Sequence, residues 1–210
     1  MLWIEQLQSV PWSQALWVLF GGYCLGCLVT GYYVVRAWSG QDLREIGSGS
    51  VGAKNAGRAL GWPGFAVTLV GDFSKGAFAI WATTHFTGDE RLIAMAMLAV
   101  VVGHIWPAQL RFHGGKGVST TLGALLVWNF HLAIAFALLF VGALALLRRS
   151  VLPGLFAFAC LPLVSAYLGG DSNSVISLSI LAGLILAAHR KNIPEELSHL
   201  AERPPRRSKT

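Results

Sequence analysis

The sequence predicts an all-α integral membrane protein: a seven-helix transmembrane bundle with its N-terminus outside and its C-terminus cytoplasmic. Three observations carry this. Of 210 residues, 54% are hydrophobic and 12% are charged, whereas soluble domains carry roughly 25% charged residues. The apolar residues gather into runs close to the ~20 that a helix needs to cross a bilayer. The charges sit at the ends of those runs, with a strong asymmetry of sign between the two sides.

Taken in order, residues 1–12 read as an interfacial lead, with Trp3 and Trp12 suited to an aromatic belt. Glu5 and the lack of a positive leading segment argue against a cleaved signal peptide. The first span covers Gln14 to Val35, and a polar, Gly-rich loop follows over 37–60. The second span, Gly61 to Thr84, is interrupted by the polar segment 71–76. The third covers Leu92 to Leu110; a short fourth runs to Phe130 and a fifth to Leu147. The sixth spans Val151 to Leu168 and the seventh Ser174 to Ala188. The fourth and seventh are short for full crossings, so six or five crossings is the alternative count. Residues 1–192 form one polytopic domain and 193–210 a polar tail, with a disordered Pro/basic stretch over Arg203–Lys209.

Seven spans put loops 36–60, 111–118, 148–150 and 189–210 on one side, holding 14 of the 16 Lys and Arg residues. The positive-inside rule makes that side cytoplasmic. The net charge of +6 therefore reflects membrane orientation and anionic headgroups, not a nucleic-acid surface. Cys24 and Cys27 form a C-x-x-C inside an apolar run, without the flanks of a redox or zinc site; packing is the expected role, and no disulfide is implied.

The polar motifs share the basic side. Arg111-Phe112-His113-Gly114-Gly115-Lys116-Gly117 is followed by Ser119 and Thr120. Glycines let backbone N–H groups approach a ligand, and a lysine plus a helix start just afterwards favours an anion such as phosphate. The P-loop pattern G-x-x-x-x-G-K-[ST] is not met. In the first loop, Ser48, Gly49, Ser50, Lys54, Asn55 and Arg58 combine small residues, hydroxyls, an amide and cations, a second phosphate-binding set. The bland alternative for both is a connector with headgroup-binding cations. Asp72 and Lys75, at i and i+3, can pair on one helix face; ionisable groups at membrane depth mark function by default, and the pair is read as orienting basic groups of the site. His104, in the third span, is either a wall of the site or a structural hydrogen-bonding residue. His189, Arg190 and Asn192 follow the last span and add donors. No nucleophile–base pair, nucleophile elbow, metal-ligand set or cofactor motif is present, which favours chemistry by positioning and charge stabilisation, such as acyl-phosphate transfer.

Gly47-Ser48-Gly49-x-x-Gly52-x-x-Asn55-x-x-Arg58, Asp72-x-x-Lys75-Gly76, Gly103-His104-Ile105-x-Pro107 with Phe112-x-Gly114-Gly115-Lys116-Gly117-Val118, and His189-Arg190-x-Asn192-Ile193 together resemble the PlsY family of bacterial membrane acyltransferases. The resemblance implies a seven-helix bundle in the bacterial cytoplasmic (inner) membrane with its site on the cytoplasmic side. It implies transfer of a fatty acyl group from acyl phosphate to the 1-hydroxyl of sn-glycerol 3-phosphate, giving lysophosphatidate and phosphate, the first acylation of phospholipid synthesis. No cofactor or metal is implied, the partners are the two substrates and the bilayer, and a monomer is the simplest assembly. By the same resemblance Ser48, Arg58, Lys116, His189 and Asn192 are catalytic. Gly49, Ser50, Lys54, Asn55, His104, Gly114, Gly115, Gly117 and Thr120 bind substrate or phosphate, with Asp72 and Lys75 behind them. The sequence departs from the family pattern at Ser50 (usually asparagine), at Lys54 (commonly threonine) and at Glu195 and Glu196, where arginine and leucine are frequent. A paralogue acylating another polyol phosphate is one alternative reading. An anion or organophosphate transporter is another, disfavoured by the almost wholly apolar outer half.

Overall fold

The computed structural model describes residues 10–201, with burial and side chains to Ser198. Trp3, Glu5 and the stretch Arg203–Lys209 lie outside the described residues. Among the described residues the chain forms α-helices and short 3-10 turns, with no strand. The helices are α1 (Trp12–Cys27), α2 (Thr30–Ser39), α3 (Ala53–Phe86), α4 (Glu90–Ile105), α5 (Val118–Trp128), α6 (Phe130–Leu147), α7 (Val151–Tyr167), α8 (Ser172–His189) and α9 (Ile193–Ala201).

Five segments are long and apolar enough to cross a membrane: 12–39, 53–86, 90–110, 130–147 and 172–189. Helices α5 and α7 are apolar but shorter. The helix ends follow local chemistry. Asn129 accepts from the Leu132 N–H at 3.1 Å and Asp171 from the Ser174 N–H at 2.9 Å, satisfying donors that open α6 and α8. Gly40, at φ 72°, closes α2 in the left-handed region that glycine adopts without strain.

Three expectations change. The first span is not one helix, because α1 ends at Cys27 and α2 begins at Thr30. The carbonyls exposed by this break are taken up by side chains from elsewhere. Lys75 Nζ donates to Gly26 O at 3.0 Å and to Leu28 O at 2.8 Å, and Gln109 donates to Cys27 O. Backbone groups at membrane depth need such partners. The polar segment 71–76 does not interrupt the second span; α3 passes through it as helix. The break in α3 lies instead at Gly61 (φ 69°, ψ −159°). Pro63 follows two residues later, lacks an N–H and crowds the preceding turn, and Gly61 absorbs the redirection. The tail too begins as helix α9, which ties Glu196 to Arg149 at 3.5 Å.

The core is built around α4, whose Met97, Val100, Val101 and Ile105 pack against residues of α5, α7 and α8 such as Leu125, Phe158 and Leu181. By contrast, only 11% of α6 is buried. Leu138, Leu146 and Leu163 stand exposed around the outside, as lipid-facing residues do. Helices meet closely at small residues. A Cβ on Gly26 would strike the α4 backbone, and one on Gly103 the α1 backbone. Likewise Gly76 of α3 lies against the Thr120 carbonyl of α5, and Gly123 of α5 against the Phe73 carbonyl of α3. This crossing sits midway along α3 beyond Gly61. Helix α5, at 11 residues, is about 16 Å long and is seated on α3 at this crossing.

Candidate active site

Two loops and two chain segments converge at one end of the bundle. The first loop is organised by a 3-10 turn, Leu43–Glu45, whose Asp42 carboxylate accepts from the Arg44 N–H at 2.9 Å. The Arg44 guanidinium pairs with Asp42 at 2.5 Å, lies 5.3 Å over the Tyr32 ring and donates to Leu110 O at 3.3 Å. That pairing, with desolvation opposing it, holds the Asp42 carboxyl below its ordinary value. Arg44 thus pins the first loop to the second. Nothing in its spacing marked it for this role, because the partner is a backbone carbonyl 66 residues away.

Asn55 is buried and is not a phosphate donor. Its Nδ2 donates to Leu43 O at 3.1 Å and Ile46 O at 2.8 Å, and its Oδ1 accepts from the Ser48 N–H at 3.2 Å. All its strong contacts are inside the protein, and they shape the loop that presents Ser48. Gly47 (φ 54°) and Gly49 (φ 68°) complete the turn, and Gly47 lets the Arg58 side chain pack directly over its backbone. Ser48, Gly49, Lys54 and Arg58 are exposed and Ser50 is half-buried.

The glycine-lysine loop is held down along its first part. Gly114 N–H donates to Ile105 O at 3.1 Å and Gly115 N–H to His104 O at 3.0 Å. Those two amides are therefore occupied, and the phosphate cradle expected from them is not formed by their N–H groups. What the glycines provide is close approach: a Cβ on Gly115 would collide with the His104 ring. Gly117, at φ 80°, turns the chain into α5, so the open N–H groups of that helix start and its positive dipole end lie beside Lys116. Thr120 is fully buried, with no hydrogen-bond partner for Oγ1, and its carbonyl packs on Gly76. It belongs to the helix crossing and not to the site surface.

His104, Asp72 and Lys75 form a buried knot. Lys75 Nζ lies 3.0 Å from Asp72 Oδ1 and 2.9 Å from His104 Nδ1, and Asp72 Oδ1 also accepts from the Thr30 N–H at 3.3 Å. The Nε2 edge of the His104 ring faces Gly115. His104 is only 3% exposed. The knot fastens the α1–α2 break to α3 and α4, and through the His104 carbonyl it seats the glycine loop.

Lys116 Nζ donates to Asn192 Oδ1 at 2.6 Å. Burial first, and then the neighbouring charges of Lys54 and Arg58, hold its ammonium below the ordinary lysine value, with Glu195 and Glu196 opposing them. Lys54, Arg58 and Lys116 are therefore one cation cluster drawn from two loops. Lys54 Nζ in turn donates to Ser150 Oγ on the α6–α7 turn, a partner with no signal in the sequence. His189 is buried, and its Nδ1 lies 2.8 Å from Ile185 O. A carbonyl only accepts, so Nδ1 carries the hydrogen and Nε2 is left with a lone pair, in the field of Lys116 and Lys54. The ensemble offers three cations for anionic oxygens, a helix N-terminus, an exposed hydroxyl and a neutral imidazole acceptor beside an apolar bundle. This set suits binding and reaction of phosphorylated groups without a covalent intermediate.

Comparison with known proteins agrees with the motifs. A family described as Glycerol-3-phosphate acyltransferase matches residues 16–199. Glycerol-3-phosphate acyltransferase 1 of Desulfitobacterium hafniense is 44% identical over 188 residues, covering 90% of this chain and 93% of the relative. Glycerol-3-phosphate acyltransferase of a Synechococcus species is 39% identical over 189 residues, covering 89% and 92%. Among solved structures, PlsY, an integral membrane glycerol 3-phosphate acyltransferase, superposes in its glycerol 3-phosphate form with TM-score 0.81 at 32% identity, covering 88% of this chain and 92% of that one. Its lysophosphatidic acid form superposes with TM-score 0.78 at 30% identity. With this coverage the chain belongs to the glycerol-3-phosphate acyltransferase family and is an integral membrane acyltransferase.

Proposed function

We propose that this enzyme transfers a fatty acyl group from acyl phosphate to the 1-hydroxyl of sn-glycerol 3-phosphate, releasing lysophosphatidate and inorganic phosphate. The observation that carries the reading is the cluster of Lys54, Arg58 and Lys116 at the head of α5, joined to Asn192 by Lys116. Both substrates are phosphate monoesters or anhydrides, and a cluster of cations in a partly desolvated site is what stabilises their charge.

In the proposed reaction Arg58 and Lys116 hold phosphate oxygens, with Lys54 adding charge. Ser48, presented by Asn55, together with His189 and Asn192 orients the glycerol and the reacting groups. The acceptor oxygen bonds to the acyl carbon, the bond from that carbon to the phosphate oxygen breaks, and the hydroxyl proton passes to the departing phosphate. Phosphate is a good leaving group, so the step needs positioning and charge stabilisation more than a strong protein base. Gly49, Ser50 and Gly117 complete the wall on the two loops. Asp72, Lys75 and His104 act from behind, by holding the glycine loop in place.

The proposed topology is seven crossings, with α1 and α2 together as the first and α5 and α7 as the short ones. The N-terminus lies outside, and the C-terminus and active site lie on the cytoplasmic face of a bacterial inner membrane. The membrane domain covers 1–192, and the segment 193–210 extends from it on the cytoplasmic side. The supporting observation is that the loops bearing the cations meet at one end, through Lys54–Ser150, Lys116–Asn192 and Arg149–Glu196, and that end is the positive one.

The direct test supplies purified protein in lipid with palmitoyl phosphate and labelled glycerol 3-phosphate, with palmitoyl-CoA as the parallel donor. Labelled lysophosphatidate from the acyl phosphate alone is the expected outcome. Product from the CoA thioester alone, or none from either donor with folded protein, overturns the proposal.

A further inference from the structure

Helix α9 begins beside Asn192, the residue that receives Lys116, and carries Glu195 and Glu196 into the neighbourhood of the cation cluster. Glu196 is the unusual one. Its side chain is 17% exposed, and its Oε2 atom is buried with no hydrogen-bond partner. Its nearest cation is Arg149 Nη1, at 3.5 Å, on the α6–α7 turn. Its charge also acts on Lys54 and Lys116. A carboxylate this enclosed ordinarily gains close donors or is absent. Here its neighbours are occupied otherwise: Lys54 donates to Ser150 and Lys116 to Asn192. Glu196 is therefore a negative charge shared by both lysines of the cluster without a tight bond to either, whereas Glu195 acts on Lys116 alone.

We propose that Glu196 is a specificity-determining residue: a resident carboxylate that, with Glu195 beside it, sets a charge threshold at the phosphate site. The inference rests on the reading of Lys54, Arg58 and Lys116 as phosphate-binding groups. Its logic is a competition. A ligand entering the cluster shares the Lys54 and Lys116 ammonium groups with Ser150 and Asn192 and must bear the repulsion of Glu196. A ligand with one negative charge gains little over the carboxylate already there. A phosphate monoester with two charges gains about twice as much from each cation at equal distance. The phosphate displaces the influence of Glu196, and Arg149 remains to neutralise the carboxylate. The chemical class selected is the phosphate monoester dianion, over phosphodiesters, carboxylates and halide.

The test is Glu196→Gln in the full chain, reconstituted in lipid and assayed with acyl phosphate and glycerol 3-phosphate. Competing monoanions are D-glycerate and chloride. The KM for glycerol 3-phosphate is expected to fall, and inhibition by D-glycerate and chloride to strengthen by more than that fall, on the order of 5- to 20-fold. Discrimination between dianion and monoanion then narrows. Arg149→Gln is expected to do the opposite, raising the KM while keeping the discrimination, because it frees the carboxylate to act on Lys54 and Lys116. If Glu196 merely anchors α9 to the α6–α7 turn, both variants lose the same bridge. They would then lower thermal stability and kcat together without changing the ratio of monoanion to dianion affinity, and the proposal fails. Lys116→Ala separates the two layers. An unchanged KM in that variant sinks the phosphate-site reading itself, whereas a raised KM beside an unaffected Glu196→Gln sinks only the threshold.

Discussion

Lys116 is the residue on which the proposed chemistry leans most. Replacing it with alanine should reduce kcat/KM by roughly 100-fold or more with little change in thermal stability, since the side chain is only half-buried. Its ionisation also gives a pH signature. Burial and the charges of Lys54 and Arg58 lower its proton affinity, so the charged form is complete at low pH and is lost as pH rises, earlier than for an ordinary lysine near 10.4. The alkaline limb of kcat/KM for glycerol 3-phosphate should therefore lie below that value, and Lys116→Arg should push it upward, because arginine stays protonated. Coincident limbs in the two proteins would assign the titration to another group. Asn55 makes the opposite kind of prediction. Its alanine variant loses the bonds to Leu43, Ile46 and Ser48, costing about 2 kcal/mol and raising hydrogen exchange over 43–50; normal protection there would refute the scaffold role. Both residues stood out in the sequence as polar groups among glycines. Their division into ligand holder and scaffold did not, because it depends on which backbone carbonyls the fold brings within reach of the Asn55 amide.

At the scale of elements, apolar runs were legible because a membrane helix must satisfy its backbone internally. The breaks were not. The run across Gln14 to Val35 carries no proline or charge to announce that the helix stops at Cys27. The stop is stabilised by Lys75 and Gln109, which come from other helices. Conversely, the polar segment 71–76 looks like an interruption in one dimension, yet it continues as helix because Asp72 and Lys75 find each other, Thr30, His104 and the broken turn. Removing one member of such a buried pair strands the other, which makes the knot an all-or-none fastening. The α3–α5 crossing is similarly strict. Gly76→Leu would drive a side chain into the Thr120 backbone, and overpacking of this kind costs about 1–3 kcal/mol or more. The expected result is a lower melting temperature in detergent together with lost activity, since α5 carries Lys116 at its head. Retention of both would mean that the crossing slides to accommodate the change.

For the whole molecule, the proposed orientation has a direct test. In a cysteine-free background, Gln41→Cys and Asp171→Cys probe two turns that the proposed topology puts on opposite sides of the membrane. A membrane-impermeant maleimide applied to intact cells should label the Asp171→Cys protein and leave the Gln41→Cys protein unlabelled; the reverse pattern would invert the topology. The proposed axis rests on the distribution of Lys and Arg, because charge is sorted by side and does not depend on packing. The meeting of α9 with the α6–α7 turn was not legible, since it joins two segments whose own sequences read as ordinary positive caps. The short α5 has a broader consequence. Its first turn packs beside Gly76, in the middle of α3, so the lysine at its head stands close to the apolar interior. In the proposed reaction a water-soluble acceptor arriving in three dimensions and an oily donor diffusing in two share no common solvent, and a cation set beside the apolar interior gives them a meeting line at the boundary between phases. Under that proposal a product that keeps its tail in the leaflet leaves sideways, and the same placement of Lys116 removes any need for a carrier.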